Sequence, residues 1–205
     1  MIGQKRLISI IDRYIANKSF PRFSIIIGEE GAGKHTLCEY ISSKLQVPIT
    51  YVSNKIDDIK DFISDAEMAN IPYLFVIEDG NQLSPGARNA ILKVIEEPPA
   101  LVNIILLSTN KEYLIPTIRS RGVTFELDPY SKDELVQIGG KRDEEALAIC
   151  DFPGDYLIAL ESGCKDMVEL ATKIIDKLYN YSFSSKQLIN RPSCYNCKFV
   201  NENNR

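Results

Sequence analysis

Basic residues are not in excess in this chain: 24 Lys and Arg stand against 28 Asp and Glu, a formal net charge of −4. A protein that binds nucleic acid alone needs a basic face to displace counterions, so the balance argues against that class. It does not argue against one that reaches nucleic acid inside a larger assembly. Long apolar runs are also lacking, none approaching the ~20 residues of a membrane span. The opening MIGQKRL carries no apolar core of a secretory leader. Cysteine is scarce and odd in number, five in 205 residues, which fits a reducing compartment better than a disulfide framework. Internal repeats and extended low-complexity tracts are missing. What is left is an ordinary globular composition, 44% hydrophobic and 25% charged. A cytoplasmic protein without membrane contact is expected.

Hydrophobic periodicity orders the elements. Leu7, Ile8, Ile11, Tyr14 and Ile15 recur at helical spacing. The run Phe23 to Ile27 reads as a strand, ends at a glycine loop, and leads into a helix from about Lys34 to Leu45. A strand over 47–52, a helix over 57–69 and a continuous apolar strand over 73–77 follow. Ser84 and Pro85 form a helix start, with an N-cap hydroxyl and a proline at the first helical position, and Pro98 and Pro99 stop that helix. Strands over 101–108 and 123–127 complete the set. Strands that alternate with helices and are apolar throughout are buried on both faces, which predicts a parallel five-stranded α/β sheet flanked by helices.

After Pro129 the pattern becomes helical, beginning at the capping box Ser131 to Glu134 and continuing to Met167, Leu170, Ile174 and Leu178. The expected division is a core over 1–129, a small helical module over 130–181, and a polar tail over 182–205.

Gly28 to Thr36 reads GEEGAGKHT, close to G-x-x-x-x-G-K-[ST], and it lies between a strand and a helix as a phosphate-binding P-loop requires. Gly28, Gly31 and Gly33 let backbone N–H groups turn toward phosphate oxygens, and Lys34 neutralises them. ATP and Mg2+ are therefore the implied cofactors, although three features weaken their binding. His35 stands where a Mg2+-binding hydroxyl belongs, and its nitrogen suits a hard cation poorly. Thr36 is expected to point about 100° around the helix. Glu29 and Glu30 bring two carboxylates to a loop whose usual guest is a polyanion. After the 73–77 strand, Glu78 and Asp79 take the positions that serve magnesium and the attacking water in P-loop ATPases. Their order is reversed, with the shorter arm second.

Glu78-Asp79-Gly80-Asn81-Gln82-Leu83, then LK-x-x-EEPP over 92–99, then Pro116-Thr117-Ile118-Arg119-Ser120-Arg121 resemble clamp-loader AAA+ subunits. The likeness is closest to the delta-prime subunits of bacterial DNA polymerase III, with gamma/tau motor subunits and replication factor C small subunits as relatives. Ile2-Gly3-Gln4 resembles the start of these subunits, and the likeness covers about residues 1–180. It implies that Arg121 acts as an arginine finger on ATP held by a neighbouring subunit. Arg119 is the second candidate, and a structural arginine satisfying carbonyls at the sheet edge is the other reading. Glycine at 122 replaces the family's cysteine.

The same resemblance places a sensor at Asn110, with Thr109 as the neighbouring option; asparagine also serves as an ordinary turn residue there. Asp155 falls where a second sensor arginine belongs. Implied partners are the gamma/tau motor and delta subunits, with the sliding clamp and primer-template DNA met through the assembly. Cys194 and Cys197 form a C-x-x-C pair, but a structural zinc needs four ligands, so ordinary thiols and no metal site are expected. Two rival readings are an active motor ATPase using Thr36 and a small-molecule P-loop kinase. The kinase needs an arginine-rich lid, and residues 130–160 offer only Lys132, Lys141 and Arg142 as cations.

Overall fold

A computed structural model describes residues 2–162 of the chain. Five parallel strands, β1 (Phe23–Ile27), β2 (Ile49–Val52), β3 (Tyr73–Ile77), β4 (Val102–Ser108) and β5 (Val123–Glu126), form one sheet in the order β2-β3-β4-β1-β5. Strand β2 begins two residues later than its apolar pattern suggests. Pro48 has no N–H to give a ladder, and only its carbonyl is used, accepting from Leu74 N of β3 at 3.0 Å.

Side chains alternate across the sheet, and each face meets its own helices. Ile25, Phe75, Ile77, Ile104 and Leu106 pack with α3 (Ile56–Glu67) and α4 (Pro85–Glu96). Ile26, Leu74, Val76, Ile105 and Leu107 pack with α1 (Lys5–Ala16) and α2 (Lys34–Leu45). Burial on both faces is why these strands read as unbroken apolar runs. At the start of α4 the Ser84 hydroxyl accepts from Ala87 N at 3.2 Å, as the serine–proline pair predicts.

A four-residue helix α5 (Pro116–Arg119) leads into β5. Three short helices come next: α6 (Lys132–Gly139), α7 (Glu144–Ile149) and α8 (Pro153–Ser162). The capping box opens α6, with Glu134 N donating to Ser131 Oγ and Ser131 N donating to the Glu134 carboxylate. That arrangement holds the Glu134 carboxyl below its ordinary range, through the backbone and hydroxyl donors of Ser131. The expected helix around Met167 to Leu178, the tail, and Cys194 and Cys197 lie outside the described residues.

Gln4 fastens the chain's start to the far end of the core. Its amide nitrogen donates to Asp128 O at 2.6 Å, and its amide oxygen accepts from Asp128 N at 3.0 Å. A side-chain amide here copies both halves of a backbone pair.

Candidate nucleotide site and a distant arginine

In an open α/β sheet, ligands gather at the carboxyl ends of the strands, where the strand order reverses. Strands β3, β4 and β1 are neighbours here, so three segments remote in sequence converge: the glycine loop after β1, Glu78 and Asp79 after β3, and Ser108 and Thr109 after β4. They enclose a cavity of about 350 Å3. Gly28 N donates to Ser108 O at 3.1 Å, which draws the loop's first residue onto β4.

The loop has the backbone of a phosphate cradle. Gly31 and Gly33 adopt φ of +74° and +90°, a region that L side chains rarely enter. Gly33 then caps α2 with no side-chain acceptor, leaving the helix's first N–H groups directed at the cavity end. Lys34 Nζ donates to Gly28 O at 2.7 Å and to Glu29 O at 2.9 Å. Its pKa is lowered by burial, against the raising effect of Glu30, Glu29 and Asp79.

The N–H groups and Lys34 of this loop fit a polyphosphate, while His35 crowds the place of a magnesium ion. His35 Nε2 lies 2.7 Å from Glu78 Oε1, so the imidazole engages the carboxylate that would serve the cation. The ring is backed by Tyr51, 5.3 Å away between centroids. Asp79 takes φ of +47° and starts the 3-10 turn Gly80–Gln82. Thr36 also lines the cavity, although its helical angle suggests otherwise. The first three residues of a helix ring its open end, and a ligand placed on the axis meets all of them.

Asn81, quoted above only as part of a motif, is a site residue that pattern reading missed. Its amide oxygen is buried with no hydrogen-bond partner among the described residues, and the residue lines the same cavity. Asn110 goes elsewhere: its amide oxygen accepts from Glu112 N at 2.8 Å and caps the 3-10 turn Lys111–Tyr113. It lines an adjoining cavity of about 490 Å3 with Glu29, Glu30 and Asp155, while Thr109 faces both cavities. Asp155 thus adds a third carboxylate where the resemblance calls for a cation.

The start of α8 closes over the loop. Gly154 N donates to Gly31 O at 3.0 Å. A Cβ on Gly154 would sit 2.6 Å from Gly31 Cα, nearer than atoms can approach. Gly154→Ala is therefore expected to lift α8 off the loop at a cost of about 1–3 kcal/mol. Amide hydrogen exchange should show faster exchange in residues 153–162; unchanged protection there would refute the contact's importance.

Cys38, fully buried on α2, is a packing residue and not a nucleophile. Burial foremost, and the charge of Glu39, push its thiol from 9.0 up to about 12. An acid whose pKa rises stays protonated, so Cys38 should resist alkylation at pH 8 in the native protein and react fully once denatured. Peptide mapping after pulse labelling checks this; native-state labelling would mean that α2 opens.

Arg121 lies at the other end of the sheet. Strand β5 starts just beyond it, with Val123 opposite Ser24, whereas the phosphate loop leaves β1 after Ile27. Roughly 10 Å of strand, at about 3.3 Å per residue, separates the two ends. Arg121 Nη2 lies 2.6 Å from Glu96 Oε1, and Nη1 donates to Thr117 O at 2.6 Å. The Arg119 side chain is exposed and makes no hydrogen bond or ion pair among the described residues.

Comparison with known proteins decides the relationship. The profile of the family described as DNA polymerase III, delta subunit, matches residues 13–131. The chain belongs to this family. DNA polymerase III subunit gamma of Buchnera aphidicola subsp. Schizaphis graminum is 25% identical over 193 residues, 73% of this chain and 52% of that protein. DNA polymerase III subunit tau of Bacillus subtilis (strain 168) is 24% identical over 209 residues, 85% of this chain and 37% of that protein. The chain thus spans about half, or less, of the curated relatives it matches.

Among solved structures, the Thermotoga maritima RuvB Holliday junction branch migration motor superposes with a TM-score of 0.62 at 19% identity, over 83% of this chain and 64% of that one. At that identity the likeness concerns the fold alone, a parallel sheet flanked by helices. The resemblance to clamp-loader AAA+ subunits drawn from the LK-x-x-EEPP and TIRSR segments agrees with the family match.

Proposed function

We propose that the chain is a clamp-loader subunit of a cytoplasmic DNA polymerase III assembly, a stator of the delta-prime kind that acts on a neighbour's ATP. The carrying observation is the placement of Arg121 at the sheet end opposite the chain's own phosphate cavity. A guanidinium placed away from the chain's own cavity supports a role on a nucleotide held by another subunit. It would stabilise charge spreading over the γ-phosphate oxygens.

The chain's own pocket supports the same reading. His35 engages Glu78, the acidic order is reversed, and Asp155 adds a carboxylate beside Glu29 and Glu30. No hydrolytic step is assigned to this pocket. The partners that fit are gamma/tau motor and delta subunits, with the sliding clamp and primer-template DNA engaged by the whole assembly. Residues 1–129 would form its P-loop core and 130–181 its lid.

A second reading is an active motor, favoured by Thr36 lining the cavity and by the gamma and tau relatives. The kinase reading loses ground, because Arg142, the one arginine in the described residues 130–162 and placed between α6 and α7, pairs with Glu144 and Asp133. The deciding experiment is the ATPase rate of the assembled complex with and without the Arg121 side chain. A stator requires a large loss with no ATP turnover by the isolated chain, whereas Mg2+-dependent turnover by the isolated chain would establish the motor.

A further inference from the structure

We propose that Glu96 is the positioning residue of Arg121, holding the guanidinium in one plane until a neighbouring polyphosphate takes over its charge. The proposal rests on the trans-acting reading above. Glu96 ends α4 and Arg121 follows α5, so two elements fix one side chain from different directions. Nη2 meets the carboxylate and Nη1 meets the Thr117 carbonyl, each at 2.6 Å. A guanidinium is rigid and planar with five N–H donors, so two fixed contacts define its orientation and leave donors for a phosphate.

The contact is also exchangeable. The side chains are 33% and 51% exposed, and an ion pair this open to water adds little stability. A polyphosphate carries more charge than one carboxylate and can displace it without disturbing the core. The neighbouring acid supplies an internal control. Glu97 is exposed and makes no hydrogen bond or ion pair among the described residues, although it stands beside Glu96 in the same motif. A second carboxylate close by therefore does not substitute for the one that is aimed.

The test measures steady-state ATPase of the complex between this chain and its ATPase partner subunit, comparing Glu96→Gln, Glu97→Gln, Arg121→Ala and the Glu96→Gln/Arg121→Ala double variant. Glu96→Gln should lower kcat ~10-fold with KM for ATP and the chain's melting temperature unchanged. Glu97→Gln should leave the rate as it is. In the Arg121→Ala background, Glu96→Gln should have no further effect, because the group it positions is gone. A rate within about twofold of the parent, a rise in rate, or an equal fall in the Arg121→Ala background would each overturn the proposal. If Arg121→Ala alone is silent, the trans-acting reading itself fails, and this result is read separately from the Glu96 result.

Discussion

Replacing Arg121 by alanine is expected to lower the ATPase rate of the assembled complex by ~10³-fold or more, the range in which trans-acting arginines work. That fall corresponds to about 4 kcal/mol of transition-state stabilisation. The chain's own stability should barely change. The Arg121–Glu96 pair is exposed to water on both sides, and pairs of that kind contribute about 0–1 kcal/mol. The two readouts therefore separate: a purely structural arginine would move the melting temperature and leave the rate, whereas a finger would do the reverse. Arg121→Lys should restore little, because an ammonium lacks the planar fork that spans two phosphate oxygens. An unchanged rate in a complex of unchanged composition would sink the assignment.

Phe75→Ala should destabilise the chain by about 3–5 kcal/mol, the cost of deleting a large buried aromatic and leaving a cavity. Phe75 is 4% exposed at the centre of β3, with Phe62 of α3 at 5.0 Å and Tyr73 at 5.4 Å between ring centroids. The loss has few routes of repair, since a sheet hydrogen-bonded to β2 and β4 on either side cannot close inward. Tyr113, 60% exposed, is the control, and its alanine variant should stay within about 0.5 kcal/mol of the parent. Urea denaturation of both variants measures the difference. A Phe75→Ala cost below about 1 kcal/mol would mean that this face of the sheet is not the packed core described.

The glycine loop shows how far pattern reaches into function. Its sequence announces a phosphate cradle, and Gly31 and Gly33 do adopt the positive φ that such a turn needs. The same pattern says nothing of Gly154, which meets Gly31 through a fold-back of more than a hundred residues. Asn110 makes the opposite lesson. The resemblance places a sensor there; in the structure its amide oxygen caps the nearest turn while the residue lines the second cavity, and Thr109 faces both.

The sequence by itself determined the parallel sheet, the helix starts at Ser84 and Ser131 and the position of the phosphate loop. These depend on burial and capping patterns that repeat within a few residues. Only the tertiary structure decided which charges meet. His35 with Glu78 and Arg121 with Glu96 join partners 43 and 25 residues apart. A charge carries no local period to reveal its partner; strand order and helix packing bring the two together.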